Sequence, residues 1–112
     1  PAIVIDAEKE REEWKYWLNK IEQHYDEISN IPNHLKNKYF YYEAANVNGL
    51  ILKHMPPEYH TAEFYEICVK NNSRAIMHAK KDVLTYKVCF LAVAKNAAMF
   101  SYIPEEFTSG TI

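Results

Sequence analysis

Two cysteines and five histidines are the side chains of this sequence with the readiest chemistry. A thiol next to an imidazole makes a nucleophile, and Cys or His at short spacing holds zinc. Cys68 and Cys89 lie far apart with no Cys-x-x-Cys pair, so neither a zinc site nor a disulfide framework is indicated. A reactive thiol needs an exposed, electropositive setting. Both cysteines instead fall on positions expected to be buried: Cys68 is equivalent to Ala44 and Ala92, and Cys89 to Tyr41 and Tyr65. Buried, unreactive thiols are the expectation, and a cysteine-dependent enzyme is the rival reading. His54 and His78 are also equivalent positions, shared with Asn30 and Tyr102, and no second periodic ligand accompanies them. The carboxylate pairs Glu12/Glu13 and Glu105/Glu106 sit near helix starts, where negative charge complements the helix dipole. No catalytic residue, cofactor or metal is expected.

The elements that position these residues follow from composition and pattern. A chain of 112 residues, 48% apolar and 25% charged, suits one folded domain. Two glycines are too few for a hairpin-rich β protein, so the expectation is all-α. The net charge of −2 comes without a basic stripe, so nucleic acid is not an expected partner. No apolar run is long enough to cross a bilayer, and "PAIVID" lacks the features of a signal peptide, so no membrane association is expected.

Displacing the sequence by 24 residues against itself aligns four segments. Four columns are then apolar throughout: Tyr16, Phe40, Phe64, Val88; Ile21, Ala45, Val69, Val93; Ile28, Leu52, Ile76, Phe100; and Leu35, Tyr59, Val83, Phe107. Asn37, Thr61 and Thr85 share a column in front of an apolar helical stripe, where their oxygens can cap the first free N–H groups. Asn48, Asn72 and Asn96 follow that stripe and are expected to end it in the left-handed conformation, helped by Gly49 in the first case. A short second helix comes next, closed by Pro32, Pro56 or Pro104, with Lys80 standing where the third segment lacks proline.

The whole of residues 1–112 therefore reads as a single domain of tandem 24-residue helix–turn–short-helix repeats at about 36–59, 60–83 and 84–107. A short tail, 108–112, ends it. In the first segment His24 and Tyr25 replace the Asn and its small neighbour, which predicts one long N-terminal helix over about 7–29, capped by Asp6.

The units "FYEICVKNNSRAIMHAKKDV" and "CFLAVAKNAAMFSYIPEEF" resemble the tandem helical repeat of bacterial and effector proteins known as domain of unknown function 4116. The resemblance covers about residues 37–107 and implies a helical array in proteins that intracellular bacteria secrete. It transfers no catalytic residue.

With no active site of its own, the chain is expected to be a non-enzymatic module that binds another protein. The resemblance extends this to an inhibitor of a partner enzyme in a bacterial effector system, for example one acting on the ubiquitin pathway. An immunity protein or a targeting scaffold is the alternative, and a homodimer is compatible with either. The expected location is the cytoplasm, or a host cell reached through a dedicated secretion system. Solenoids bind through positions that vary on a regular scaffold. Those positions nominate Tyr39, Tyr42 and Tyr86 as aromatic anchors, and Arg74, Lys80 and Lys81 as a basic patch. Ile76 and Phe100 are expected to be core residues of their short helices.

Overall fold

The computed structural model describes residues 6–108. The unassigned order of 1–5 and all of the predicted tail except Thr108 lie outside the described residues. The described residues are helical almost throughout and contain no strand. Four α-helices carry the architecture: α1 (Ala7–Gln23), α2 (Lys38–Val47), α3 (Ala62–Asn71) and α4 (Tyr86–Lys95). Six-residue 3-10 helices follow them, at Tyr25–Asn30, Gly49–His54, Ser73–His78 and Ala97–Tyr102. Shorter 3-10 turns at Asn33–Leu35, Pro57–Tyr59, Lys81–Val83 and Glu105–Phe107 lead out of each.

Each α-helix starts where its cap predicts. Asn37 accepts from the Phe40 N–H at 3.0 Å, and the Thr61 and Thr85 hydroxyls accept from Phe64 and Val88 at 3.2 Å each. Each such cap stabilises its helix by about 1 kcal/mol. Ten-residue helices are not stable alone in water. Their stability comes from stacking, α1 on α2, α2 on α3 and α3 on α4, while the 3-10 helices stack in parallel along the other side. The product is an elongated body of 65 × 27 × 18 Å. Its core runs the length of the stack, with Ile21, Phe40, Ile51, Leu52, Phe64, Tyr65 and Val69 fully buried.

Three expectations are corrected. The N-terminal helix does not reach residue 29: α1 ends at Gln23, and His24 is extended at φ −141° and ψ 98°. The cause is tertiary. The Asn48 amide donates to the Ile21 carbonyl at 2.9 Å, occupying an end-of-helix acceptor, and Tyr25–Asn30 turns away to pack on Gly49–His54. Tyr25 stacks on His54 there, with ring centroids 5.7 Å apart.

The helix-ending asparagines are not left-handed either, since no described residue has positive φ. Asn48, Asn72 and Asn96 are extended, and each side chain caps the next 3-10 helix, accepting from Leu50, Arg74 and Ala98. Gly49 is required by proximity, because a Cβ there would lie 2.1 Å from the Cys68 carbonyl oxygen.

Finally, Phe100 is not core. It is 58% exposed, whereas Ile28, Leu52 and Ile76 in the same column are buried. Ile76 is covered because Ser73–His78 packs against Ala97–Tyr102, and no described element lies beyond Phe100.

Candidate partner-binding surfaces

A ridge of side chains that differ from one helix to the next points along the stack. Trp14 meets Phe40 edge to face at 5.1 Å, and Tyr42 meets Phe64 at 5.3 Å, each ring reaching the next α-helix. At the following junction the same ridge uses charge: Glu66 pairs with Lys87 at 3.0 Å and with Lys70 at 3.2 Å. These lysines hold the Glu66 carboxyl below its ordinary range. The ridge varies because two junctions are closed by ring pairs and the third by an ion pair.

Two hollows result. The first, of about 420 Å³, lies beside α2 and is lined by Trp14, Lys38, Tyr39, Tyr42, Glu43, Asn46 and Glu63. Tyr42 forms part of this wall with one face committed to Phe64, and the Lys38 ammonium sits 5.6 Å from its ring centre. Burial, then the Glu63 carboxylate beside it, push the Tyr42 hydroxyl pKa up. Tyr39 differs: it is 77% exposed and shares in no ring contact.

The second hollow, of about 140 Å³, is on the far face of α4. Tyr86, Cys89, Phe90, Val93, Phe100, Ile103, Phe107 and Thr108 line it, with no charged residue among them. Tyr86 and Phe90 stack with centroids 6.3 Å apart. Arg74, Lys80 and Lys81 line neither hollow, though all three are exposed. The six nominated residues therefore divide among three places: Tyr39 with Tyr42, Tyr86 alone on the α4 face, and the basic residues around the third segment's turn.

Lys80 has a structural reason for standing where other segments have proline. Its backbone N–H donates to the hydroxyl of fully buried Tyr65 at 2.9 Å, and proline has no N–H. The same hydroxyl hydrogen-bonds His60 Nδ1. Burial, then the Lys80 charge, hold the His60 imidazole below its ordinary pKa.

Both cysteines are free and buried, as expected. Burial pushes the Cys68 thiol up to about 12 and raises Cys89 too, the reverse of what activates a nucleophile. One donor cluster escaped the sequence reading. Atoms of Glu10, Glu13 and His34 lie within 4.8 Å of one another. Glu10 and Glu13 share a face of α1, but only folding brings in His34, which pairs with Glu13 at 2.6 Å. The cluster lies at the surface, and its Glu13 and His34 are already paired with each other.

No described helix is long and apolar enough to cross a membrane. No family model matches the chain, and no curated protein and no solved structure matches it.

Proposed function

We propose that this chain is a non-enzymatic protein-binding module made of tandem 24-residue units behind α1, and that a partner docks around Tyr39. The repeat reading is supported by the capped helix starts at Lys38, Ala62 and Tyr86, each 24 residues after the last. The six-residue 3-10 helices start at the same interval, at Gly49, Ser73 and Ala97.

One observation carries the binding reading: Tyr39 stands 77% exposed at the rim of a hollow walled by Trp14 and Tyr42. An exposed aromatic beside an aromatic-walled hollow, with Lys38, Glu43 and Glu63 around it, has the composition of an interface hot spot and its polar rim. The partner is a protein that inserts an apolar side chain between the rings and meets the mixed charges with polar groups. The resemblance favours an enzyme of a bacterial effector system, such as one of the ubiquitin pathway, held inactive by this contact. Arg74, Lys80 and Lys81 supply a second, electrostatic contact in that proposal.

Affinity capture from cell extract with the parent protein and with Tyr39→Ala, compared by quantitative mass spectrometry, tests this reading. Proteins held at Tyr39 are lost with the variant but kept with Tyr16→Ala, which removes an exposed aromatic that does not line this hollow. Equal capture by parent and Tyr39→Ala would sink the proposal. The inhibitory form is tested by adding the chain to the captured enzyme and measuring its activity.

A further inference from the structure

The third segment departs from its equivalents at positions that meet in space. Lys80 stands where the others have Pro32, Pro56 and Pro104, and His60 where they have Glu12, Lys36 and Leu84. Between them is Tyr65, equivalent to Trp17, Tyr41 and Cys89. Tyr65 is fully buried; its hydroxyl accepts from the Lys80 N–H at 2.9 Å and bonds His60 Nδ1, with the two rings edge to face at 5.5 Å. The second segment keeps a tyrosine but lacks this arrangement, because Pro56 has no N–H to give, and Tyr41 packs on Tyr59 instead.

Donor and acceptor roles fix the direction of each bond. A backbone N–H only donates, so the Tyr65 oxygen accepts from Lys80. The single hydroxyl proton is left for His60, and Nδ1 accepts it only while that nitrogen is bare. A protonated imidazole carries N–H at both nitrogens, which would set donor against donor and leave the buried hydroxyl proton without an acceptor. Charge acts in the same sense. Lys80 repels a proton on His60, and only the Met55 carbonyl favours one. Among the described residues no carboxylate pairs with His60. On the Tyr65 side, Asp82 acts on the hydroxyl, and the Cys68 thiol, pushed up to about 12, carries no charge near neutrality.

We propose that His60, Tyr65 and the Lys80 N–H form a proton-operated latch, closed while the imidazole is neutral and open once it is protonated. Opening turns the half-buried imidazole to water and frees the turn around Lys80 from α3. That turn runs through Lys81–Val83 toward α4, so acid changes how Lys80 and Lys81 are presented, independently of the contact proposed at Tyr39. Burial, then the Lys80 charge, hold His60 below its ordinary value of 6.5, so the unfolded chain takes up its proton first. The latch therefore stabilises the fold above that value, and its contribution is lost as pH falls below it. His78, lowered by burial and by Lys53 and His54, acts in the same direction, so a global stability curve mixes the two. A local readout separates them.

Nuclear magnetic resonance on the whole chain between about pH 8 and pH 5, the range in which histidine titrates, supplies that readout. At the upper end His60 should show a bare Nδ1 and a protonated Nε2. As His60 titrates, hydrogen-exchange protection of the Lys80 amide, corrected for intrinsic pH dependence, should fall about tenfold while that of Val69 in α3 holds. In His60→Gln the Lys80 protection should no longer follow pH. In Tyr65→Phe it should be low throughout, with His60 titrating closer to its ordinary value; if that variant does not fold, His60→Gln carries the test. A proton on His60 Nδ1 at neutral pH overturns the proposal, as does Lys80 protection that stays level through the His60 titration. A fall that persists in His60→Gln would belong to another group, such as His78, and overturns it equally.

Discussion

Gly49→Ala is the sharpest probe of how α3 sits on the preceding 3-10 helix. The new Cβ would lie 2.1 Å from the Cys68 carbonyl oxygen and 2.9 Å from its carbon. Both are backbone atoms, so no rotamer change relieves the overlap, and α3 must retreat by about 1 Å to reach ordinary contact distance. Retreat also stretches the two bonds of Asn71, which accepts from the Gly49 N–H at 2.7 Å and donates to the Asn46 carbonyl at 2.8 Å. Overpacking of this kind costs about 3 kcal/mol. Against the total stability of about 5 to 15 kcal/mol typical of a domain, that is a large fraction. Urea unfolding followed by circular dichroism should show a lower midpoint with an unchanged slope. Ser73 occupies the equivalent place at the next junction and already has a Cβ; there Lys95 replaces Asn71, so the same clamp is absent. Ser73→Ala is the control, expected within about 0.5 kcal/mol of the parent. If Gly49→Ala also fell within about 0.5 kcal/mol, the close approach of α3 would be wrong.

Ile76→Ala should cost about 2 to 5 kcal/mol as a cavity in the core, whereas Phe100→Ala in dilute solution should change stability by less than about 0.5 kcal/mol. Comparable losses at both positions would restore the core role that the sequence assigned to Phe100. Lys80→Pro isolates one hydrogen bond, because φ −77° already suits proline and Ala79 before it is extended. Its cost should be about 1 kcal/mol, abolished when Tyr65→Phe is made first, a pairing that a double-mutant cycle measures. Neither thiol should react with a soluble disulfide reagent at neutral pH until the chain is unfolded. The folded Cys68 thiol keeps its proton to about 12, while the unfolded one loses it near 9.0. The native state therefore binds the extra proton between those values, and stability should fall as pH rises through that window. The raised hydroxyls of Tyr41 and Tyr65 act in the same direction. A urea midpoint unchanged between pH 8 and pH 11, about the span of that window, would contradict the buried titrations.

The periodic features of the chain were legible because they are local. The caps Asn37, Thr61 and Thr85 announce helix starts through a bond spanning three residues, which needs no tertiary partner. The buried positions of α2 and α3, such as Phe40, Phe64 and Val69, follow from helical spacing alone. The burial of Cys68 follows in the same way, since its equivalents are alanines on that stripe.

What the sequence left undecided depends on neighbours. The α1 helix stops at Gln23 because Asn48, far along the chain, donates to the Ile21 carbonyl, and no local breaker announces it. Phe100 obeys the apolar column as well as Ile76 does, but burial also requires something on the other side. The ridge of Trp14, Tyr42, Glu66 and Phe90 differs in residue type at every position. Only stacking shows that its members close successive junctions with a ring pair, a ring pair and an ion pair, and then meet solvent. Residue type and spacing determine which side chains can be buried, capped or paired. Which of them are is decided by the packed neighbour, through contacts of a few ångströms that a one-dimensional pattern does not contain.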